Sequence, residues 1–66
     1  MTADVPFEDR IFISAAEAAA VLNITTWSIY RLLDSGEIES RYFGRRRLVV
    51  RESVQRFAAS LPDTAA

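Results

Sequence analysis

Three consecutive arginines, Arg45–Arg47, follow Gly44 and stand between two short apolar segments of this 66-residue chain. The segments, residues 38–43 and 47–50, are strand-like, and a glycine between them can supply the positive backbone dihedral that a tight turn needs. The pattern predicts a two-stranded antiparallel hairpin with its turn at residues 44–46. A tip that carries three guanidinium groups is suited to a groove or to the backbone of nucleic acid.

The charges are separated along the chain, although the net charge is only −1. Residues 1–30 hold one arginine and four acidic residues, whereas residues 40–51 hold five arginines and no acidic residue. Because the Debye length at physiological salt is ~8 Å, the basic segment can act locally despite the distant acids. All eight basic residues are arginine, which suits bidentate contacts with phosphate and guanine but equally fits a GC-rich genome.

The first predicted helix spans residues 14–22. Ser14 and Glu17 have the spacing of a capping box, and the alanines around them favour a helix. Its expected inner face consists of Ala18, Val21 and Leu22. Asn23 tolerates the left-handed conformation that often ends a helix. The apolar residues 11–13 predict a brief strand or an extended lead-in to the core.

The second predicted helix begins at Thr25 or Thr26, either of which can cap it, and ends at Gly36. Its buried stripe consists of Ile29, Leu32 and Leu33. The helical period places Trp27, Ser28, Tyr30 and Arg31 on or beside the opposite, outward face. Two short helices separated by three residues and followed by a basic hairpin predict a helix-turn-helix with a wing.

A final helix is predicted from Glu52 to Leu61, before Pro62. Its expected inner face consists of Val54, Phe57, Ala58 and Leu61. The fold class is therefore mainly α with a small β-hairpin, a winged helix-turn-helix of three helices plus a two- or three-stranded antiparallel wing. Residues 1–10 are expected to form a flexible acidic arm, residues 11–61 the single DNA-binding domain, and residues 62–66 a disordered tail.

Composition argues against several other functions. The chain has no cysteine and no histidine, which removes thiolate chemistry together with the usual general base and metal ligand. Glu17, Glu37 and Glu39 do not form a plausible catalytic pair. The apolar stretches are far shorter than the ~20 residues of a membrane span, and acidic residues stand where a signal peptide would be basic. We therefore expect no enzyme activity, no cofactor, no metal and no membrane contact.

The order of these motifs resembles that of MerR-like domains of the phage excisionase family. The likeness rests on ISAAEAAAVLNIT (13–25), IYRLL (29–33), SGEI (35–38), FGRRR (43–47) and the closing helix (54–61). The resemblance implies a recombination directionality factor that binds double-stranded attachment-site DNA cooperatively, bends it and directs an integrase toward prophage excision. It implies the integrase and neighbouring copies of the chain as partners, in the cytoplasm of a bacterial host.

Two groups of residues are the candidates for DNA contact. The recognition-helix group consists of Thr25, Thr26, Trp27, Ser28, Tyr30 and Arg31. The wing group consists of Arg41, Gly44, Arg45, Arg46 and Arg47, with Arg51 as a minor candidate. The first group would meet base edges and phosphates at a helix N-terminus. The second would follow the minor groove or the phosphates and position the domain.

Several alternatives remain open from the sequence alone. The arginine turn could be a charged edge that keeps the hairpin soluble. Trp27 could pack under a loop or against Tyr42, Tyr30 could border the core, and Arg51 could pair with Glu52. Leu48 and Val50 share a strand face that the N-terminal arm could cover or that could contact protein. The same fold could also serve a small MerR-like transcriptional regulator or a protein-binding adaptor.

Overall fold

The computed structural model describes residues 5–64. After a short 3-10 helix at Phe7–Asp9, the elements are β1 (Phe12–Ile13), α1 (Ala15–Leu22), α2 (Thr26–Ser35), β2 (Ser40–Phe43), β3 (Arg46–Val50) and α3 (Arg51–Ser60). The three strands form one antiparallel sheet in the order β1-β3-β2. Three helices and a three-stranded sheet in this order confirm the predicted winged helix-turn-helix, in which the β2–β3 hairpin is the wing.

The ends of α1 and α2 are set by local hydrogen bonds that the sequence predicted. The Glu17 N–H donates to Ser14 Oγ at 3.0 Å, and the Ser14 N–H donates to Glu17 Oε1 at 2.9 Å, which completes the capping box. Asn23 ends α1 with φ 57°. Of the two threonines that could cap α2, Thr25 does so by accepting the Ser28 N–H, and Gly36 ends α2 with φ 84°.

The core lies where the helices meet the inner face of the sheet. Its buried apolar residues are Ile13, Ala18, Ala19, Ile29, Leu33, Ile38, Val49 and Val54. Phe7, Leu22, Ile24, Leu32 and Phe57 pack partly buried around them. The predicted stripe of α2 is confirmed, since Ile29 and Leu33 are buried and Leu32 borders the core.

The predicted inner faces of α1 and α3 are partly wrong. In α1 the buried pair is Ala18 and Ala19, whereas Val21 is exposed. In α3 Ala58 and Leu61 are exposed and Ser53 is buried, where its Oγ accepts the Glu39 N–H at 2.8 Å. An alanine-rich helix gives little contrast between its faces, and a buried serine with a hydrogen-bond partner is invisible to a hydrophobic pattern.

The wing is tighter than the sequence predicted. Its turn contains two residues, Gly44 and Arg45, because Phe43 and Arg46 are paired across the strands. The predicted turn at 44–46 is therefore one residue too long. A positive φ of 63° at the first turn position only is the pattern of a type II′ hairpin turn, which fits the twist of the strands. Ile38 precedes β2 and is buried in the core instead of pairing in the sheet.

The sequence predicted a flexible arm at residues 1–10, and the described part of this segment makes contacts with the domain. Residues 1–4 of that arm, like residues 65–66 of the predicted tail, lie outside the described residues. In the described part, Phe7 packs against the core and the Arg10 guanidinium pairs with the Glu17 carboxylate, while Arg10 Nε donates to the Val5 carbonyl at 3.0 Å. An aromatic anchor and a charge partner on α1 hold this part of the chain against the domain.

Candidate nucleic-acid interface

The outward face of α2 carries a stacked pair of side chains. Trp27 is 66% exposed, and the Arg31 guanidinium carbon lies 4.9 Å from the centroid of the Trp27 ring. This distance is within the range of a cation–π interaction. The alternative in which Trp27 is buried, under a loop or against Tyr42, is wrong, since Trp27 itself is mostly exposed. Tyr30 is about half exposed on the flank of the same helix.

The N-terminus of α2 is open to an anion. Thr25 and Thr26 are exposed, and Thr25 Oγ1 both accepts the Ser28 N–H at 3.1 Å and donates to Ser28 Oγ at 3.0 Å. No acidic residue stands in the first turn of α2. The partial positive charge of the helix end is therefore not offset locally, which favours a phosphate at this position.

Arg47 is not a residue of the wing tip. Its Nη1 lies 3.2 Å from Asp34 Oδ1, and its Nε donates to Ser40 Oγ at 3.0 Å. Its guanidinium also lies over the ring of Tyr42, 5.6 Å from the centroid. The side chain that the sequence grouped with Arg45 and Arg46 instead joins the base of the wing to the last turn of α2.

The Arg47–Asp34 contact sets the wing beside the outward face of α2. Asp34 follows Arg31 by three residues, which is about 4.5 Å along the helix axis and about 60° around it. The base of the wing is therefore held about one helical turn from Arg31 and about two turns from Trp27. Sequence analysis missed Asp34, because nothing local links an acidic residue in a helix to a strand thirteen residues later.

Four arginines, Arg31, Arg45, Arg46 and Arg51, have no acidic partner within the described range 5–64. Arg10, Arg41, Arg47 and Arg56 pair with carboxylates. Within residues 5–64, no carboxylate oxygen lies within 4.0 Å of a guanidinium nitrogen of Arg31, Arg45 or Arg46. Arg51 lies at the start of α3 and is bound to a backbone carbonyl, whereas the other three lie on the outward face of α2 and at the end of the wing. Three of the four guanidinium groups without an acidic partner among the described residues therefore coincide with the candidate surfaces.

Arg41 and Arg51 are less available than the sequence implied. Arg41 Nη2 lies 3.6 Å from Glu39 Oε2, and both side chains remain largely exposed. Arg51 Nε donates to the Arg10 carbonyl at 2.6 Å, and the Arg51 N–H donates to the Ile11 carbonyl at 3.1 Å. Arg51 therefore connects the N-terminal segment to the start of α3. This contact accounts for an arginine at position 51 without a DNA contact and without the pairing with Glu52.

Two aromatic residues of β2 belong to the exposed surface and were missed as site candidates. Tyr42 is 67% exposed and Phe43 is 78% exposed. The sequence signal was present, because an edge strand of four residues directly before a turn glycine cannot bury both alternating faces.

Gly44 itself is open, since a Cβ built on it would meet no atom within 4 Å. Contact of any candidate residue with DNA stays a prediction.

In the described range 5–64, no group of three or more acidic, cysteine or histidine side chains is arranged to hold a metal ion. None of the helices between residues 5 and 64 combines the length and the apolar character needed to cross a bilayer.

Comparison with known proteins gives one family. The family model described as a helix-turn-helix domain matches residues 12–62, which is most of the chain. No curated protein and no solved structure gives a significant match. The matched range contains α1, α2, the wing and α3, and therefore every candidate residue of both surfaces.

Proposed function

The chain belongs to the helix-turn-helix domain family, and we propose that it is an excisionase that acts on attachment-site DNA. Membership of this family, which includes excisionase-like DNA-binding proteins, indicates binding to double-stranded DNA. The order of motifs along residues 11–61 adds the resemblance to excisionases in particular. The protein would act in the cytoplasm of a bacterial host, on the DNA of a phage or another mobile element.

One observation carries the proposal. Arg31, Arg45 and Arg46 have no acidic partner among the described residues, and the contact between Arg47 and Asp34 holds the wing against α2. An outward helix face that carries Arg31 and a basic hairpin in fixed relation to it are the two parts that a winged domain needs to straddle a DNA backbone. Binding neutralises these guanidinium groups with phosphates and releases counterions.

The two surfaces have different tasks on the duplex. The outward face of α2 enters the major groove, where Arg31 reaches a guanine edge or a phosphate and Trp27 contacts base edges or thymine methyl groups. The open N-terminus of α2, with Thr25, receives a phosphate. The wing lies along the adjacent minor groove, where Arg45 and Arg46 contact phosphates and fix the register without reading bases.

Excision requires more than one copy of the domain. A single module of this size buries roughly 600–1,000 Å² on DNA, which limits its affinity and its specificity. Several copies side by side on repeated sites bind cooperatively, and each adds to the bend. The bent DNA brings the distant sites that integrase occupies into the excisive arrangement, and the integrase cuts and joins the strands.

The first experiment is a gel-shift titration on attachment-site duplex and on random duplex, each at two salt concentrations. We expect tighter binding to the attachment site and a loss of affinity with salt in both. An excision assay with the cognate integrase follows, in which the protein should raise the yield of excised product. Binding without any effect on excision would indicate a transcriptional regulator, and no binding to either duplex at low salt would indicate a protein-binding adaptor.

A further inference from the structure

The end of the wing presents an aromatic ring together with two guanidinium groups. Phe43 is 78% exposed and directly precedes the turn formed by Gly44 and Arg45. Its partner across the strands is Arg46. In the part of the chain that is described, neither Arg45 nor Arg46 has a carboxylate partner. This wing tip (residues 43–46) is thus both apolar and positively charged.

The ring lies on a different face of the hairpin from the contacts that fix the wing. Side chains paired across two strands share a face, and successive side chains of a strand alternate between faces. Phe43 therefore shares a face with Arg46, whereas Tyr42 and Arg47 lie on the other. Arg47 is bound to Asp34 on that second face, so the tie between wing and α2 leaves Phe43 untouched.

Phe43 adds little to the stability of the isolated domain. Apolar burial stabilises a fold in proportion to the area removed from water, and most of this side chain stays in water. It is absent from the buried cluster and from the residues that pack around it. An aromatic ring in this position has its largest energetic effect when another molecule covers it, and the neighbouring guanidinium groups favour a polyanion as that molecule.

We propose that Phe43 is a wedge that enters the minor groove and partly unstacks one base-pair step where the wing meets DNA. The proposal rests on the proposed DNA-binding function and adds to it the group that bends the duplex. Arg45 and Arg46 bind phosphates at the groove and bring the ring to the bases. Phenylalanine and other apolar side chains inserted between base steps are a known way to kink DNA.

The wedge affects the shape of the complex more than its affinity. Unstacking a step costs energy, and contact of the ring with the exposed base faces offsets much of that cost. Pyrimidine–purine steps are the easiest to open, so the wedge selects a site with such a step under the wing. The wing can in this way contribute sequence preference without a hydrogen bond to any base.

The test compares the wild-type protein with Phe43→Ala and Phe43→Leu on attachment-site duplexes. Bending is measured by resonance energy transfer between dyes on the two DNA ends. Unstacking is measured by the fluorescence of 2-aminopurine placed at each position under the wing in turn. We expect Phe43→Ala to lose most of both signals while its affinity falls by less than about tenfold. Phe43→Leu should keep part of both, because leucine is also an apolar wedge.

Ile11→Ala is the matched control, since Ile11 is a large apolar side chain that is similarly exposed and lies outside both the wing and α2. It should keep the wild-type bend and the wild-type 2-aminopurine signal. Circular dichroism and thermal melting check that the Phe43 variants remain folded, as expected for an exposed side chain.

Three outcomes would overturn the wedge. One is equal bending and equal 2-aminopurine fluorescence in the wild type and in Phe43→Ala. A second is an unchanged bend with a loss of contact between copies or with integrase, which would assign Phe43 to a protein surface. The third is a wild-type protein that binds no attachment-site duplex at low salt. Only this last result would also remove the proposed function, so the two failures are distinguishable.

Discussion

The guanidinium group of Arg47 lies 3.2 Å from the carboxylate of Asp34 and ties the base of the wing to the last turn of α2. Its Nε donates to Ser40 Oγ on the neighbouring strand, so one side chain connects both strands of the wing with the helix. The contact also neutralises an acidic group one turn from Arg31, where an unpaired carboxylate would repel DNA. Arg47 is thus a positioning residue, while Arg45 and Arg46 at the wing tip have no acidic partner in the part of the chain that the structure describes.

Salt dependence should separate Arg47 from the other wing arginines. Each phosphate contact contributes about 0.9 to the slope of log affinity against log salt concentration. We expect Arg45→Ala and Arg46→Ala each to reduce that slope by about 1, and Arg47→Ala to reduce it by less. Arg47→Ala should instead cost about 0.2–1 kcal/mol of unfolding free energy, because Asp34 is largely exposed. Fluorescence anisotropy at several salt concentrations and urea denaturation measure the two effects. Equal slopes for all three variants would refute the distinction.

The stack of Arg31 on Trp27 should be measurable as a coupling. Arg31→Ala is expected to weaken binding by ~1–3 kcal/mol if Arg31 contacts a guanine, with relaxed preference at that position. Trp27→Ala should weaken binding by about 0.5–1 kcal/mol because Arg31 loses its cation–π partner. The loss of any contact between Trp27 and DNA adds to this figure. A double-mutant cycle on attachment-site DNA then gives a nonzero interaction energy. Arg56→Ala is the control, since Arg56 is exposed on α3 and paired with Glu39. A loss under a few tenths of a kcal/mol for Arg31→Ala would exclude Arg31 from the site.

The capping box should make stability depend on acid pH. The backbone N–H of Ser14 holds the pKa of Glu17 below its ordinary value of 4.5. Burial acts in the opposite direction, and the Arg10 guanidinium and the Ser14 hydroxyl lower the pKa further. A carboxyl group whose pKa is lower in the folded state contributes stability above its unfolded pKa and loses it as pH falls through the folded pKa. As the pH is lowered from 4.5, the melting temperature of the wild type should therefore decrease more steeply than that of Glu17→Gln. Parallel pH profiles for the two proteins would show that Glu17 contributes nothing.

The two left-handed helix ends should both lose stability when alanine replaces the native residue. Gly36 has φ 84° and Asn23 has φ 57°, and a side chain at Gly36 would meet no atom within 4 Å. Gly36→Ala and Asn23→Ala should each destabilise the fold by about 1 kcal/mol through backbone strain alone. Asn23→Gly should stay within about 0.5 kcal/mol of the wild type, because glycine adopts this conformation readily. Urea denaturation of the three variants measures these changes in unfolding free energy. An unchanged unfolding free energy in Gly36→Ala would contradict the strain argument.

The sequence determined the parts of this protein that depend on neighbours within one helical turn or one strand. The cap residues Ser14 and Thr25 and the terminator Gly36 act through hydrogen bonds or dihedrals of adjacent residues, so their positions were predictable. The outward position of Trp27 and Arg31 followed from the strong amphipathic pattern of α2. The basic hairpin and the order of elements followed from the same local signals, and together they gave the fold class.

Only the tertiary structure decided which long-range partners these residues have. Arg47 and Asp34 are thirteen residues apart, and Arg51 contacts the carbonyl of Arg10 forty-one residues before it. Ser53 is buried because the backbone of Glu39 offers it a donor. Such contacts depend on how the sheet and helices pack, and a periodic pattern carries no record of that packing. The separation of Arg45–Arg47 into one residue that fixes the wing and two that have no acidic partner among residues 5–64 is therefore a property of the folded chain.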